Sequence, residues 1–168
     1  MIHLEKINPI NVWDVLFLKL KREQRHFLAP NDISLSQAYA VIGSGCDAYP
    51  FAIYNDDKVV GFLMIGYNLS AMCDDGDSSG DNRAPKIYKN NYYLWRLMID
   101  KRYQKRGYGT EAVKLALDFI RTWPSGKAEY CALSYEPENE VAIKWYRSMG
   151  WEENGEMDGE EVVAVLKL

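Results

Sequence analysis

The chain reads as a mixed α/β fold, a mostly antiparallel sheet with helices on both faces. Three observations predict this. Two apolar runs, Pro50–Tyr54 and Lys58–Tyr67, flank an Asn55-Asp56-Asp57 turn, the pattern of an antiparallel hairpin. Two later stretches, Tyr108–Trp123 and Asn139–Met149, repeat apolar residues at helical spacing. Each follows a short run rich in aromatic and branched residues, Tyr92–Ile99 and Tyr130–Ser134, so strands and helices alternate.

The remaining elements fall into place around these. Asn11 is positioned to cap a first helix with Val12, Val15, Leu16 and Leu20 on its buried side. A second short helix is expected after Asp32 or Ser34, through Tyr39 and Val41, ended by Gly43-Ser44-Gly45. Asn68 to Asn90, with Gly76, Gly80, Pro85 and Asp74, Asp75, Asp77 and Asp81, reads as a long surface loop. In the Tyr108 helix, Val113, Ala116, Leu117, Ile120 and Trp123 take the buried register, and Pro124-Ser125-Gly126 ends it. The Asn139 helix turns Ala142, Trp145, Tyr146 and Met149 to the core and stops at Gly150. Two strands, from Trp151 onward and Val162–Leu168, close the sheet around Asp158-Gly159. No linker or repeat divides the chain, so residues 1–168 are expected to form one domain.

Composition narrows the class. With 48% apolar and 26% charged residues, the 168-residue chain can bury a core without staples. Three cysteines, Cys46, Cys73 and Cys131, form no C-x-x-C pair, which argues for a reducing, cytoplasmic setting. The two histidines, His3 and His26, offer no zinc-ligand spacing, so no metal is expected. The N-terminus lacks a basic-then-apolar signal pattern. The longest apolar run, Val59–Tyr67, is about half of the roughly 20 residues a membrane span needs.

Net charge is −4, but the charges are segregated. From Arg83 to Arg106 there are eight Lys or Arg and one acid, Asp100. From Glu136 to Glu161 there are nine acids against Lys144 and Arg147. Solvated faces account for this pattern, and so do one anionic and one cationic ligand held by different parts of the domain.

The informative segment is Leu94-Trp-Arg-Leu-Met-Ile-Asp-Lys-Arg-Tyr-Gln-Lys-Arg-Gly-Tyr-Gly109-Thr110. A strand ends, a basic turn follows, and two glycines open a long helix. The first amides of a helix have no partner within it, and the helix dipole adds partial positive charge there. Glycines let an anion approach those amides, and Lys101, Arg102, Lys105 and Arg106 surround them with charge: a phosphate cradle. Neither rival glycine motif fits. The string G-x-x-x-x-G-K-[ST] is absent. A dinucleotide fingerprint from Gly107 would need an acid at the far end of the next strand, whereas Glu129 precedes it.

The string Q-x-x-G-x-G at Gln104, Gly107 and Gly109 resembles the acetyl-coenzyme-A signature of the GNAT N-acetyltransferase superfamily. About thirty residues on, Asn139-Glu-Val-Ala-Ile-Lys-Trp-Tyr146-Arg-Ser-Met-Gly150-Trp is similar to that family's second motif. The likeness covers residues 92–156 strongly and the rest loosely. The ending Asn154-Gly-Glu-Met-Asp-Gly-Glu160 is most similar to the bacterial spermine/spermidine (diamine) branch.

The resemblance implies a GNAT-type mixed sheet of six to seven strands that splays between Tyr92–Ile99 and Tyr130–Ser134. It implies acetyl-CoA as co-substrate and transfer of acetyl to a primary amine by direct attack. The pyrophosphate would lie on the amides of Gln104, Lys105, Arg106, Gly107, Tyr108, Gly109 and Thr110. Pantetheine would run beside Leu97, Met98 and Ile99, held by Asn139, and an amide near Leu97 or Met98 would polarise the acetyl carbonyl. Tyr146 matches the family's general acid; by periodicity alone it reads as a core aromatic, and the paired motif reverses that.

One departure stands out. Several polyamine acetyltransferases carry a glutamate in mid-strand where this chain has Trp95, and no carboxylate occurs from Tyr92 to Ile99. Glu136 and Glu138 are candidate bases by position only. Trp95 either receives an ammonium group over its ring or simply packs. For the amine itself, Asp74, Asp75 and Asp77 offer carboxylates. A polyamine or diamine is the expected substrate, with an aminoglycoside or a protein amine as the alternative. Further alternatives are a non-catalytic coenzyme-A sensor and a nucleic-acid binder using Lys101–Arg106, although a pI near 5.3 argues against the latter. No membrane partner is expected, and monomer and homodimer both remain open.

Overall fold

The computed structural model describes residues 1–42, 44–72 and 84–168. Seven strands form one sheet in the order β1-β2-β3-β4-β5-β7-β6. They are β1 (Ile2–Lys6), β2 (Asp47–Asn55), β3 (Lys58–Tyr67), β4 (Tyr92–Ile99), β5 (Tyr130–Tyr135), β6 (Glu152–Asp158) and β7 (Glu161–Lys167). All neighbours pair antiparallel except β4 and β5, which are parallel. The helices are α1 (Val12–Leu16), α2 (Asn31–Val41), α3 (Tyr108–Ile120) and α4 (Glu140–Ser148).

Side chains alternate across the sheet. Phe62 and Met64 of β3 join Met98 of β4 in a cluster with Val15 of α1 and Ala38 of α2. Their neighbours Leu63 and Ile65 point the other way, into a larger cluster with Ala112, Val113, Ala116 and Ile120 of α3. Ile143, Trp145 and Tyr146 of α4 pack onto that second cluster. Helices therefore cover both faces, as the patterning predicts.

Several details differ from the sequence expectation, among them the end of α3 at Ile120 rather than Trp123, which takes a positive φ of 59° beyond the helix. Edge strand β1 pairs with β2, Ile2 opposite Asn55 and Lys6 opposite Phe51. It was not expected, because five residues at a half-exposed edge give little periodic signal. The first helix is one short turn ending at Leu16, not Leu20. Tertiary bonds take the chain beyond it: the Lys19 amide donates to Asp100 Oδ2 at 2.9 Å, and the Lys101 amide donates to the Lys19 carbonyl at 2.8 Å. Asn11 is buried, but its side chain turns backward, accepting from the Asn8 amide and donating to the Lys6 carbonyl, rather than capping α1. Helix α2 begins at Asn31, just after Pro30, and its buried face carries Asn31 and Ser34. No helix among the described residues is long and apolar enough to cross a membrane.

Candidate active site

The site begins where the sheet opens. The ladder between β4 and β5 is two pairs long, Tyr92 with Cys131 and Tyr93 with Ala132, although the strands continue to Ile99 and Tyr135. A cavity of about 670 Å³ occupies the divergence. Its walls include Leu94–Ile99, Ser134 and Tyr135, the first turn of α3, the α4 residues Trp145 and Tyr146, and Gln24, Phe27 and Leu28 ahead of α2. The β5-facing edge of β4 beyond Tyr93 has no strand partner among the described residues, so its main-chain groups are available to an extended ligand.

On the β3 side, Arg96 pairs with Met64 and Leu94 with Ile65, which leaves Trp95 as the extra residue of a bulge. Bulges re-aim side chains. Here the Trp95 ring lies partly buried between the two clusters and on the cavity wall. The Arg96 guanidinium sits 5.5 Å from that ring's centroid. It also donates to Ser34 Oγ at 3.2 Å, Gln37 Oε1 at 3.0 Å and the Trp95 carbonyl at 2.7 Å. Part of the ring that the sequence reading offered to an ammonium group is thus engaged by the chain itself.

The basic turn is bent at two points of positive φ, Lys105 at 63° and Gly107 at 80°. The second suits glycine because a side chain there would strain the backbone. Between Tyr103 and Glu111 no main-chain amide donates a backbone hydrogen bond among the described residues. A Cβ at Gly107 would meet nothing within 4 Å, whereas one at Gly109 would lie 3.4 Å from the Trp145 ring. That is ordinary van der Waals contact, so a Cβ would fit at Gly109; α3 and α4 are tied there by the Trp145 indole N–H, which donates to Thr110 Oγ1 at 3.3 Å.

What holds the turn in place is Asp100, one residue past β4 and only 1% exposed. It accepts from the Arg102 amide at 2.9 Å, from Arg102 Nε at 2.8 Å and Nη2 at 3.2 Å, and from the Lys19 amide. Burial alone would push its carboxyl up; Arg102 and the two amides outweigh that and hold it below the usual carboxylate range. A depressed carboxylate stabilises the fold fully above its unfolded pKa and loses that contribution as pH falls. Asp100→Ala should therefore cost about 3 kcal/mol, as expected for a buried acceptor of charged hydrogen bonds. Asp100→Asn should flatten the acid limb of thermal stability below about pH 4; melting curves across pH test both.

The structure gathers most of the predicted residues. Leu97, Met98, Ile99, Gln104, Lys105, Gly107, Tyr108, Gly109, Thr110, Asn139, Tyr146 and Trp95 all border the cavity. Arg106 does not: its guanidinium donates to the Arg102 carbonyl and lies over Tyr103. The Gln104 side chain is a tie, donating to Gln24 Oε1 at 2.8 Å and the Ile99 carbonyl at 3.0 Å. Asn139 caps α4 by accepting from the Ala142 amide at 3.2 Å. Glu136 and Glu138 are not on the wall. Asp74, Asp75 and Asp77 lie outside the described residues.

Tyr146 stands among rings: Tyr135 stacks at 6.4 Å, Trp145 lies at 4.8 Å and Trp151 meets it edge-on at 5.6 Å. Burial, then Cys131 and Tyr93, push its phenol above the ordinary range. Burial also pushes the Cys131 thiol up to about 12, so it stays protonated and is a poor nucleophile. Asp100, Trp145, Gln24 and Ser134 were missed from sequence. Only Asp100, the lone acid in a basic run, carried a local signal.

Residues 16–151 match the Acetyltransferase (GNAT) family. The chain belongs to the GNAT acetyltransferase family. It is accordingly an N-acetyltransferase with acetyl-CoA as its co-substrate. Over 165 residues, 96% of each chain, this GNAT enzyme is 28% identical to a spermine/spermidine N(1)-acetyltransferase of Bacillus subtilis. Its fold is similar to the PaiA N-acetyltransferase of Thermoplasma acidophilum in complex with coenzyme A (TM-score 0.65, 14% identity, 100% and 99% of the two chains). It is also similar to the aminoglycoside acetyltransferase AAC(6′)-Ib with coenzyme A (TM-score 0.69, 13% identity, 99% and 95%).

Proposed function

We propose that residues 1–168 act as one cytoplasmic domain that acetylates a primary amine of a polyamine or diamine by direct attack in a ternary complex. The observation that carries the reading is the cavity itself. It joins a turn of unpaired amides to the opening between β4 and β5, with Tyr146 on its wall. The nearly full-length likeness to a spermine/spermidine acetyltransferase supports the substrate class, as do the acids of the C-terminal third.

In this reading the amides of residues 104–110 take the pyrophosphate, with Lys105 beside them; Arg106 contributes its charge from outside the cavity. Pantetheine lies along the unpaired edge at Leu97–Ile99, and Asn139 holds it with the part of its side chain not used in capping. A main-chain amide at Leu97 or Met98 donates to the carbonyl oxygen as charge develops there. The amine nitrogen attacks the carbonyl carbon, the C–N bond forms and the C–S bond breaks. The departing thiolate takes the Tyr146 proton, which burial keeps on the phenol until that moment.

Steady-state thiol release against spermine, spermidine, an aminoglycoside and a peptide N-terminus tests the substrate class. The polyamines should give the highest kcat/KM, by at least about tenfold, equivalent to about 1.4 kcal/mol of transition-state binding. An aminoglycoside or peptide ahead of both polyamines would replace this reading with theirs.

A further inference from the structure

The strand that lines the cavity has no carboxylate, so the proton that an ammonium group must lose before attack needs another acceptor. The hydrogen bonds around Ser134 supply one. Ser134 sits on the cavity wall, on β5 just beyond the point where β4 and β5 part. Its hydroxyl donates to Glu161, the first residue of β7. Tyr93 Oη lies 2.6 Å from the same Oγ. A hydroxyl has one donor and two acceptor positions. With the donor spent on Glu161 and one lone pair on Tyr93, the second lone pair of Ser134 is left for an N–H.

The geometry points to Ser134 as the group that receives the acceptor amine and to Glu161 as the carboxylate that takes its proton through Ser134. This rests on the amine-acetylating reading above. The ammonium nitrogen gives one proton to Ser134 Oγ as Ser134 passes its own to Glu161, leaving the nitrogen lone pair free to attack. The proton remaining on nitrogen after the C–N bond forms offsets the one that Tyr146 gives the thiolate. Glu161 then releases its proton to solvent, so each turnover yields one amide, one thiol and one proton.

The surroundings suit the task. Burial and the neighbouring carboxylates of Asp158 and Glu136 raise Glu161's affinity for a proton, while Ser134 and Arg96 oppose that rise. Tyr88, which donates to Asp158 at 2.8 Å, lies tilted against Tyr93 with ring centroids 4.4 Å apart. Around Glu161, behind the cavity wall, three carboxylates stand against the Arg96 guanidinium, a local excess of negative charge that suits a cationic amine. A carboxyl held above its unfolded pKa stabilises the fold below that pKa and less as pH rises. The fold is therefore less stable with Glu161 ionised at neutral pH than with it protonated.

Glu161→Gln keeps the shape and an acceptor for Ser134 but cannot take a proton. At neutral pH, kcat on the best amine should fall about 10²-fold or more, the range for lost acid–base catalysis. The deficit should narrow as pH rises toward the amine's own pKa of about 10. Ser134→Ala should copy this profile and Ser134→Thr restore it. The exposed neighbour variant Glu160→Gln should keep the wild-type profile. The acetyl-CoA-induced rise in Tm should be unchanged in Glu161→Gln, whose Tm at neutral pH should hold or rise. A wild-type pH profile in Glu161→Gln, or a loss by the same factor at every pH, overturns the inference and leaves the acetyltransferase reading standing. A wild-type enzyme that releases thiol with no amine overturns that reading and this inference together.

Discussion

Tyr146→Phe should lower kcat by about 10²–10⁴-fold, the contribution of a positioned general acid. The ring stays, so its contacts with Tyr135, Trp145 and Trp151 stay as well. Stability and the affinity for acetyl-CoA should therefore change little, which separates a proton donor from a core aromatic. A variant with wild-type turnover and a lower Tm would return Tyr146 to the core. The effect should also depend on the leaving group. An acetyl donor with a more acidic thiol needs less protonation on departure, so the variant should recover part of its rate with such a thioester.

The other large effect is expected at Gly107. Acetyl-CoA at about a hundred times its Kd should stabilise the fold by about 2.7 kcal/mol. In a chain of this length that corresponds to a Tm rise of about 5–10 °C. Gly107→Val places a branched side chain at φ 80°, a conformation that a β-branched residue strongly disfavours, so the turn must shift and its amides lose their alignment. The substitution should cost about 1–2 kcal/mol in backbone strain and abolish the Tm rise. An undiminished rise would move the phosphates away from this turn.

Much of the fold could be read along the chain because its strongest elements carry local patterns. β4 and α3 start where their apolar periodicity starts, and α4 lies inside the span its pattern marked. The glycines and basic residues of the turn proposed to hold the phosphates lie together in the sequence, so that half of the proposed site could also be read. The acceptor half could not. Ser134 and Glu161 meet only because β5 pairs with β7, with Ser134 opposite Val163. Asp100 reaches Lys19 across 81 positions of sequence. α2 hides for another reason: its inner face carries Asn31 and Ser34, which donate to the carbonyls of Val15 and Pro30, so apolar spacing does not mark it. Arg96 draws on the same helix, bonding Ser34 and Gln37. Trp95 reads as the place of a missing base; in the structure it is the extra residue of a bulge on the cavity wall.

Direct transfer at the opening between β4 and β5 is the central claim, and intact-mass spectrometry tests it most directly. The enzyme is incubated with acetyl-CoA alone, then with spermidine, and free thiol is counted alongside. Before the amine is added, no acetyl adduct should form on the protein and no thiol should be released. After addition, one thiol should appear for each acetylated spermidine. An acetylated enzyme formed from acetyl-CoA alone, competent to pass its acetyl group to spermidine, would contradict direct transfer.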